Sequence, residues 1–328
     1  MTKVQSNPTP GASLNQATTI LKAAGDELRG QILRILQHDA FGVLELCRIF
    51  GLRQPAMSHH LKILSQAGLV TSRREGTCIF YRRAYARDDG LDTLRQQIFA
   101  QLDTCAIPDE AAAGMTAVHE ERAENSQAFF RNNVDNFREQ QDLIASYSLY
   151  GDTVVDLIDS LNLPTSGTAL EVGPGEGELL LELAKRFKRV SALDNSAEML
   201  ARAKTACEAK SIGGIKFLLD DICKPATKIR ADLVTMNMVL HHLARPADTL
   251  KVVHNLLNEG GVLIITDLCQ HDQDWAHDAC GDLWLGFCPE ELEHWANSAG
   301  FTVGNSQFLA QRNGFRIQVR QFMRSGSV

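Results

Sequence analysis

The sequence has no run of 18 or more apolar residues, no Cys-x-x-Cys pair and no low-complexity block. The first absence argues against a membrane-spanning helix, and the amino-terminal segment MTKVQSNPTPGASLNQ lacks the apolar core of a secretory signal peptide. The eight cysteines are scattered along the chain, which is typical of reduced thiols and not of a disulfide framework. We therefore expect a cytoplasmic protein that makes no membrane contact.

The length and the charge distribution indicate two domains with different partners. The chain has 328 residues, of which 44% are hydrophobic and 22% charged, and this is enough for two folded domains. The net charge is −7, yet residues 1–106 carry 13 Lys and Arg against 9 Asp and Glu. Within 53–83, six basic residues accompany a single acid, Glu75. A basic segment on an acidic protein suggests a local contact with a polyanion.

The pattern around the basic segment predicts a winged helix-turn-helix domain. Apolar spacing and turn residues predict a helix over 18–38 interrupted at Gly25 and Gly30, a helix over 43–50 ended by Gly51, a helix from about Pro55 to Ala67-Gly68, and two strands over 69–74 and 78–83 joined at 75–77. In this arrangement the second helix of the motif enters the major groove of DNA, and the hairpin, or wing, lies along the phosphates.

Particular side chains in this segment suit DNA recognition. The early part of the second helix is predicted to present base-reading residues, which are Gln54, Ser58, His59 and Lys62. The wing is predicted to present phosphate-binding residues, which are Arg73, Arg74, Arg82 and Arg83. His60 is expected to pack inside the domain instead of reading a base.

The segment RQPAMSHHLKILSQAGLVTSRREGTCIFYRR closely resembles the ArsR/SmtB family of bacterial repressors, and the resemblance covers about residues 20–105. It implies binding to double-stranded operator DNA as a homodimer, in which the helix after the wing, at 88–105, pairs with the initial helix. Metal-sensing members usually carry Cys-x-Cys where this chain has Gly42 and Leu44, and Cys47 alone does not make a metal site. The 88–105 helix contains no histidine, so we expect no bound metal and no metal effector.

A glycine turn opens the second domain. The segment TALEVGPGEG predicts a buried strand that enters a turn containing Gly173, Gly175 and Gly177, followed by a helix. Glu178 stands where the dinucleotide-binding motif has its last glycine, and Glu176 and Glu178 would repel a pyrophosphate at the helix start. S-adenosylmethionine carries an ammonium and a sulfonium and would tolerate these carboxylates.

Further strand ends complete the predicted cofactor site. Asp194 ends the next strand, 21 residues after Gly173, where it can accept hydrogen bonds from both ribose hydroxyls. The stretches ALEVGPGEG, SALDNSAEML, DDIC, ADLVTMNMVLHHL and LLNEGGVLIITD resemble the class I S-adenosylmethionine-dependent methyltransferases from about 168 to 324. The resemblance implies cofactor-lining residues at Glu171, Gly173, Gly175, Asp194, Asp221 and Asn237, with Glu171 approaching the methionine ammonium of S-adenosylmethionine or S-adenosylhomocysteine.

No catalytic residue can be assigned from the sequence, because methyl transfer from a sulfonium depends mainly on positioning. The candidate acceptor pocket consists of His241, His271 and Trp275. Cys269, Cys280 and Cys288 flank it, but the chain does not supply a convincing set of the further early cysteines that arsenite methyltransferases carry. Arsenic methylation is therefore disfavoured.

The predicted fold class is α/β, with a helix-rich winged helix-turn-helix domain before a Rossmann-like, doubly wound methyltransferase domain. The expected organisation has four parts: a flexible terminus over 1–17, a DNA-binding and dimerisation domain over 18–106, a helical connector over 107–165 and a methyltransferase domain over 166–328. The connector is expected to pack on its neighbours, to cover the site as a lid, or to do both.

Three functions remain open at this point. The favoured one is a transcriptional regulator whose methyltransferase-like domain binds S-adenosylmethionine or S-adenosylhomocysteine as effector, and the resemblance extends to ArsR-type regulators that respond to S-adenosylhomocysteine. The second is an active small-molecule methyltransferase with an autoregulatory DNA-binding domain. The third, a nucleic-acid methyltransferase, is disfavoured because MNMVLHHL lacks an NPPY-like or Pro-Cys element.

Overall fold

The computed structural model describes residues 13–75, 78–84 and 89–325, apart from the side chains of 134–138 and 278. The chain divides into two compact units, Met1–His119 and Glu120–Val328. The predicted fold class is confirmed, with a helical winged unit followed by a Rossmann-like mixed sheet. Within the described ranges, no helix is both long enough and apolar enough to cross a membrane.

The first unit is a helix-turn-helix with a small sheet. Its elements are α1 (Leu14–Ala24), α2 (Glu27–Ile35), β1 (Phe41–Gly42), α3 (Val43–Phe50), α4 (Gln54–Gln66), β2 (Val70–Glu75), β3 (Cys78–Arg83), α5 (Asp92–Asp103) and the beginning of α6 (Asp109–Ala145). The strands form one antiparallel sheet of order β1-β3-β2. Gly51 ends α3 with a left-handed φ of 62° and turns the chain into α4, which has Pro55 in its first turn.

The amino-terminal helices differ from the sequence prediction in two ways. The structure divides the predicted 18–38 helix only at Gly25-Asp26, because the Asp26 side chain accepts a hydrogen bond from Arg29 N and caps α2. Gly30 lies inside α2 and does not break it. Helix α1 begins at Leu14, so the predicted flexible terminus over 1–17 extends four residues too far, and residues 1–12 lie outside the described part of the chain.

The second unit is built on a seven-stranded sheet. After the rest of α6 and a 3-10 turn at Tyr147–Leu149, its elements are α7 (Gly151–Ser160), β4 (Thr168–Val172), α8 (Glu178–Arg186), β5 (Arg189–Asp194), α9 (Ala197–Ala209), β6 (Ile215–Leu219), β7 (Ala231–Asn237), a 3-10 turn at Leu240–His242, α10 (Pro246–Leu256), β8 (Leu257–Leu268), α11 (Trp275–Cys280), α12 (Pro289–Ser298), β9 (Phe301–Ala310) and β10 (Arg316–Arg324). The segment predicted as a helical connector, 107–165, contains α6 and α7, and the division between the units falls within α6.

The strand order brings the carboxyl ends of several strands together at one edge of the sheet. The order is β6-β5-β4-β7-β8-β10-β9, in which the first five strands are parallel and β10 runs antiparallel to both β8 and β9. The direction of winding reverses between β4 and β7. In an open α/β sheet, ligands bind beyond the carboxyl ends of the strands at such a reversal. The ends of β4, β5, β7 and β8 are therefore where the candidate site is built.

Candidate functional site

Helix α4 has one buried face and one exposed face. Met57, Leu61 and Leu64 are completely buried and hold the helix against the core of the first unit. The residues predicted to read bases are all exposed, and these are Gln54, Ser58, His59 and Lys62. His60 is partly buried, with its Nδ1 3.9 Å from an Asp26 carboxylate oxygen. The geometry leaves the predicted reading face accessible.

The wing arginines do not share one environment. Arg74 is exposed, Arg82 is partly buried, and Arg73 is mostly buried and forms an ion pair with the buried Glu75. Arg83 is buried, so its predicted phosphate contact is wrong. Its guanidinium donates two hydrogen bonds to the Asp103 carboxylate, at 2.6 and 3.0 Å, because the register of β3 points this side chain inward.

In the second unit, the glycine turn after β4 combines close packing with open space. Gly173, Gly175 and Gly177 all have left-handed φ angles, of 64°, 54° and 79°. A Cβ on Gly173 would lie 2.3 Å from Val239 Cγ2, so a side chain there would disturb the fold. A Cβ on Gly175 would meet nothing within 4 Å. The turn thus leaves room for a ligand next to Gly175, while Gly177 caps the start of α8.

Two polar side chains at this edge lack hydrogen bonds. Glu171 is buried, and its Oε2 has no hydrogen-bond partner within the described residues. Burial raises the pKa of Glu171 well above its ordinary value, and the nearby Asn237 amide opposes this rise only in part. Both amide atoms of the buried Asn237 also lack a hydrogen bond to any described group. Buried polar groups are normally hydrogen-bonded, so these atoms distinguish this edge of the sheet from the rest of the core.

The acids after β5 and β6 have distinct environments. Asp194 is partly exposed and accepts a 2.8 Å hydrogen bond from Ser196 N, while burial raises its pKa to about 6. Asp220 accepts hydrogen bonds from Thr227 and from backbone amides, which lower its pKa to about 2. Asp220 therefore stabilises a turn, and Asp221, which bonds Cys223 N, remains the predicted adenine-side acid.

Tyr147 is a candidate that sequence reasoning missed. It lies in the 3-10 turn before α7, and its buried hydroxyl makes no hydrogen bond to a described residue. Burial raises its pKa, as do the nearby carboxylates of Glu171, Glu182 and Glu178. These carboxylates belong to β4 and α8, the two elements that the glycine turn joins. A lone tyrosine in a helical connector carries no sequence signal for such a position.

Histidines and carboxylates form a buried cluster after β7 and β8. His241 Nδ1 lies 2.8 Å from Asp267 Oδ1, and His241 Nε2 lies 3.6 Å from Asp282 Oδ1. The ring of His242 lies 4.1 Å from that of His241. Burial alone would lower the pKa of His241, but the two carboxylates raise it, whereas burial and the neighbouring His241 lower the pKa of His242. Of the predicted acceptor residues, only His241 is in this cluster.

The other two predicted acceptor residues lie against Phe315. The rings of His271 and Trp275 are 4.7 and 5.8 Å from the Phe315 ring, and Trp275 is partly exposed. Each of these two rings therefore packs edge-on against the same phenylalanine. Their role as acceptor contacts stays a prediction.

The part of α6 in the second unit packs on the histidine cluster. Ser126 Oγ donates to the His242 carbonyl oxygen at 3.2 Å, and the Phe130 ring lies 4.9 Å from the His242 ring. The Arg122 guanidinium lies 4.8 Å from the Trp284 ring. These contacts fit both interpretations of the connector, as a packed helix and as a cover over the site.

The cysteines near this region are poor ligands for arsenic. Burial raises the pKa of Cys269 to about 11 and that of Cys280 to about 12, so both thiols are protonated at neutral pH. This agrees with the expectation that arsenic is not the methyl acceptor.

The chain is similar to known proteins in both units. Residues 26–72 match the model of the arsR family of bacterial regulatory proteins, and residues 170–265 match that of a methyltransferase domain. A helix-turn-helix-type transcriptional regulator of Methanocaldococcus jannaschii is 43% identical over 77 residues, which are 23% of this chain and 81% of that protein. The tRNA 5-carboxymethoxyuridine methyltransferase of Escherichia coli strain K12 is 33% identical over 103 residues, which are 30% of this chain and 40% of that enzyme's length.

One solved structure supports the fold of the second unit. A chain from the complex of a Haloferax volcanii methyltransferase activator with a methyltransferase aligns with 62% of this chain and 99% of its own length, with a TM-score of 0.51 and 15% identity. The fold and the site define a protein that joins an ArsR-type DNA-binding domain to a methyltransferase domain. Through its first unit, the chain belongs to the arsR family of bacterial regulatory proteins.

Proposed function

We propose that the protein is a transcriptional regulator whose methyltransferase domain binds S-adenosylmethionine or S-adenosylhomocysteine as an effector. The observation that carries the proposal is the set of buried side-chain atoms without a hydrogen-bond partner in the described residues, which are Glu171 Oε2 and both amide atoms of Asn237, at the sheet edge where the glycine turn leaves β4. Leaving such groups unpaired costs about 1–3 kcal/mol each, which a polar ligand would recover.

The residues present fit an S-adenosyl ligand. Glu171 would bind the ammonium through the glycine turn, Asp194 would accept hydrogen bonds from the ribose hydroxyls, and Asp221 would accept one from the adenine amino group. The Tyr147 hydroxyl would donate to the carboxylate of the methionine part. Each proposed contact pairs a donor with an acceptor or a charge with its opposite. An S-adenosyl ligand has no phosphate, so the acids at the start of α8, Glu176 and Glu178, would not repel it as they would repel a pyrophosphate.

Operator binding as a homodimer completes the proposal. Leu14 and Leu21, seven residues apart on α1, are 81% and 52% exposed and share one face of the helix. An apolar stripe on the initial helix suits the pairing that the family resemblance implies for α1 and α5. A dimer would present two α4 helices to two half-sites.

Ligand and DNA binding are expected to be coupled. A preferred duplex is first selected from a random pool, and its affinity is then measured with no ligand, with S-adenosylmethionine and with S-adenosylhomocysteine. At least one ligand should change the operator affinity about fivefold or more, which is the lower end of typical allosteric coupling. Calorimetry should show that the operator changes the affinity for that ligand by the same factor. Unchanged ligand affinity with and without operator would contradict the effector role.

The charged residues of the predicted DNA-facing surface give a second prediction. Replacing both Arg74 and Arg82 with alanine should weaken binding to every duplex and lower the slope of log affinity against log salt by about 2, since each phosphate contact contributes about 0.9. Fluorescence anisotropy at several salt concentrations measures this slope. Lys204→Ala, an exposed lysine on α9, is the control and should leave the slope unchanged. An unchanged slope in the double variant would contradict the assignment of this surface.

An active methyltransferase is the second candidate function. It is favoured by the His241–Asp267 pair, which lies at the same sheet edge as Asn237 and Glu171. S-adenosylmethionine would supply an electrophilic methyl group, and His241 would hold the acceptor in place by a hydrogen bond. The test is transfer of a labelled methyl group to small-molecule pools, to tRNA and to duplex DNA in parallel. Transfer to one pool, abolished in His241→Gln, would establish turnover.

A further inference from the structure

We propose that His241, His242 and Asp282 form a binding site for a divalent transition-metal ion, with Asp267 as the group that orients His241. One ligand atom from each of the three residues lies within 4.8 Å of the others. His241 Nε2 and His242 Nδ1 lie 3.6 and 3.8 Å from Asp282 Oδ1. Ligands about 2.1 Å from a tetrahedral zinc ion lie about 3.4 Å apart. Small movements of these side chains would therefore complete the coordination.

The carboxylates of the cluster have oxygens that accept no hydrogen bond from a described residue. Asp282 is 2% exposed, and neither of its oxygens has a hydrogen-bond partner within the described residues. Asp267 is completely buried, and its Oδ2 is also unpartnered there. A buried carboxylate is stable only when it is paired, hydrogen-bonded or bound to a metal. His241 and His242 lie within ion-pair distance of Asp282 Oδ1, but at 3.6 and 3.8 Å neither ring nitrogen forms a hydrogen bond with it, and an ion between the three groups would bond the carboxylate directly.

The surrounding contacts preorganise the site. The backbone amides of Leu283 and Trp284 donate to the His241 carbonyl oxygen at 3.0 and 3.1 Å, and they hold the segment containing Asp282 against the end of β7. Asp267 Oδ1, 2.8 Å from His241 Nδ1, selects the tautomer that leaves Nε2 free to coordinate. Metal-bound histidines typically have such a carboxylate partner.

His242 fits the site in one tautomer. Its Nδ1 lies 3.3 Å from the Gly281 carbonyl oxygen, and Phe130 packs on its ring. Because a carbonyl oxygen only accepts, Nδ1 carries the proton in this contact. Coordination through Nδ1 would move the proton to Nε2, break the hydrogen bond and leave the Gly281 oxygen next to the ion. Two imidazoles and one carboxylate suit zinc, iron(II), cobalt or nickel. Magnesium and calcium prefer more oxygen ligands than this site offers.

The expected role of the ion is to tie the end of β7 to the segment that follows α11. His242 and Asp282 are 40 residues apart in the chain, so one ion would close a long loop. A metal ion that binds only the folded state stabilises it, and the gain grows with the logarithm of the ratio of the free metal concentration to the dissociation constant.

The experiment uses the full-length chain after treatment with a chelator. Zinc should bind at one ion per chain and raise the Tm, and cobalt(II) should give a visible spectrum of nitrogen and oxygen coordination. Asp282→Asn should abolish the zinc-induced rise in Tm and lower zinc affinity about a hundredfold or more. Its Tm without metal should not fall below that of the parent, because an unpaired buried carboxylate has been removed. Asp272→Asn, an exposed acid nearby, is the matched control and should behave as the parent.

Two further variants separate coordination from a general effect on the fold. Asp267→Asn should weaken zinc binding about 10–100-fold, as is usual for loss of a carboxylate that orients a metal-bound histidine. His242→Gln should remove zinc binding. The proposal is overturned if the parent binds no zinc beyond that of Asp282→Asn, or if the cobalt(II) spectrum has a thiolate charge-transfer band, which would assign the ion to cysteines.

Discussion

Asp194→Ala is expected to weaken S-adenosylhomocysteine binding at least tenfold, as measured by calorimetry on the full-length chain. Asp194 ends β5 at the ligand-binding edge, where its carboxylate can accept hydrogen bonds from both ribose hydroxyls. Each charge-assisted bond contributes about 1.5–3 kcal/mol, and 1.4 kcal/mol corresponds to a factor of ten. Operator binding without ligand should be unchanged. Parent-like ligand affinity would show that β5 does not hold the ribose.

The charge of Asp194 also predicts how ligand affinity varies with pH. Its folded-state pKa of about 6 exceeds the ordinary value of 3.8, so in the free protein the carboxyl group is mostly protonated below about pH 6 and becomes charged as the pH rises through this value. A ribose that donates to the carboxylate favours the charged form. Affinity should therefore increase about tenfold from pH 5 to pH 7, and binding at pH 5 should release nearly one proton from Asp194. Asp194→Asn should lose this part of the pH dependence, which separates it from any contribution of Glu171.

Alanine substitutions at two glycines, Gly175 and Gly214, separate the effect of blocking the ligand site from the effect of backbone strain. Gly175 and Gly214 both have left-handed φ angles, of 54° and 81°, and a Cβ on either would meet nothing within 4 Å. Alanine at either position should therefore cost a similar strain of about 1–2 kcal/mol. Gly214 precedes β6, at the opposite end of the strands from the glycine turn. Only Gly175→Ala should also lower ligand affinity, because its Cβ would occupy the space left for the ligand.

Sequence alone was sufficient where the chemistry is local in the chain. The strand, glycine turn and helix around Gly173 are adjacent in sequence, and the spacing to Asp194 follows from one strand-helix-strand unit. The exposed face of α4 likewise follows from helical spacing, since Met57, Leu61 and Leu64 occupy the opposite face.

Groups joined by the tertiary fold escaped prediction. Two adjacent histidines have no recognisable metal spacing, and only the path of the chain after α11 brings Asp282 to His241. Tyr147 belongs to a 3-10 turn outside the sheet, yet its pKa responds to the carboxylates of β4 and α8. The basic composition of 53–83 also could not separate a phosphate-binding arginine from a paired one, because Asp103 lies 20 residues after Arg83.

The structural role of Arg83 leads to a large expected loss of stability. Its guanidinium donates to Leu33 O at 2.6 Å and to both oxygens of Asp103, and it lies 4.7 Å from the centre of the Phe99 ring. It therefore joins β3 to α2 and α5. Breaking a buried ion pair of this kind costs about 3–5 kcal/mol. Since Asp103 remains partly exposed, Arg83→Ala should lower the free energy of unfolding of the first unit by about 3 kcal/mol, near the lower end of that range.

Hydrogen exchange of α2 and α5 amides in the full-length chain measures this loss separately from the second unit. Arg74→Ala is the matched control, because the same substitution at an exposed wing position should change stability by no more than about 0.5 kcal/mol. Asp103→Asn should reproduce part of the loss, since it leaves Arg83 buried with a neutral partner. Unchanged exchange in Arg83→Ala, together with weaker DNA binding, would return Arg83 to the phosphate-binding surface of the wing.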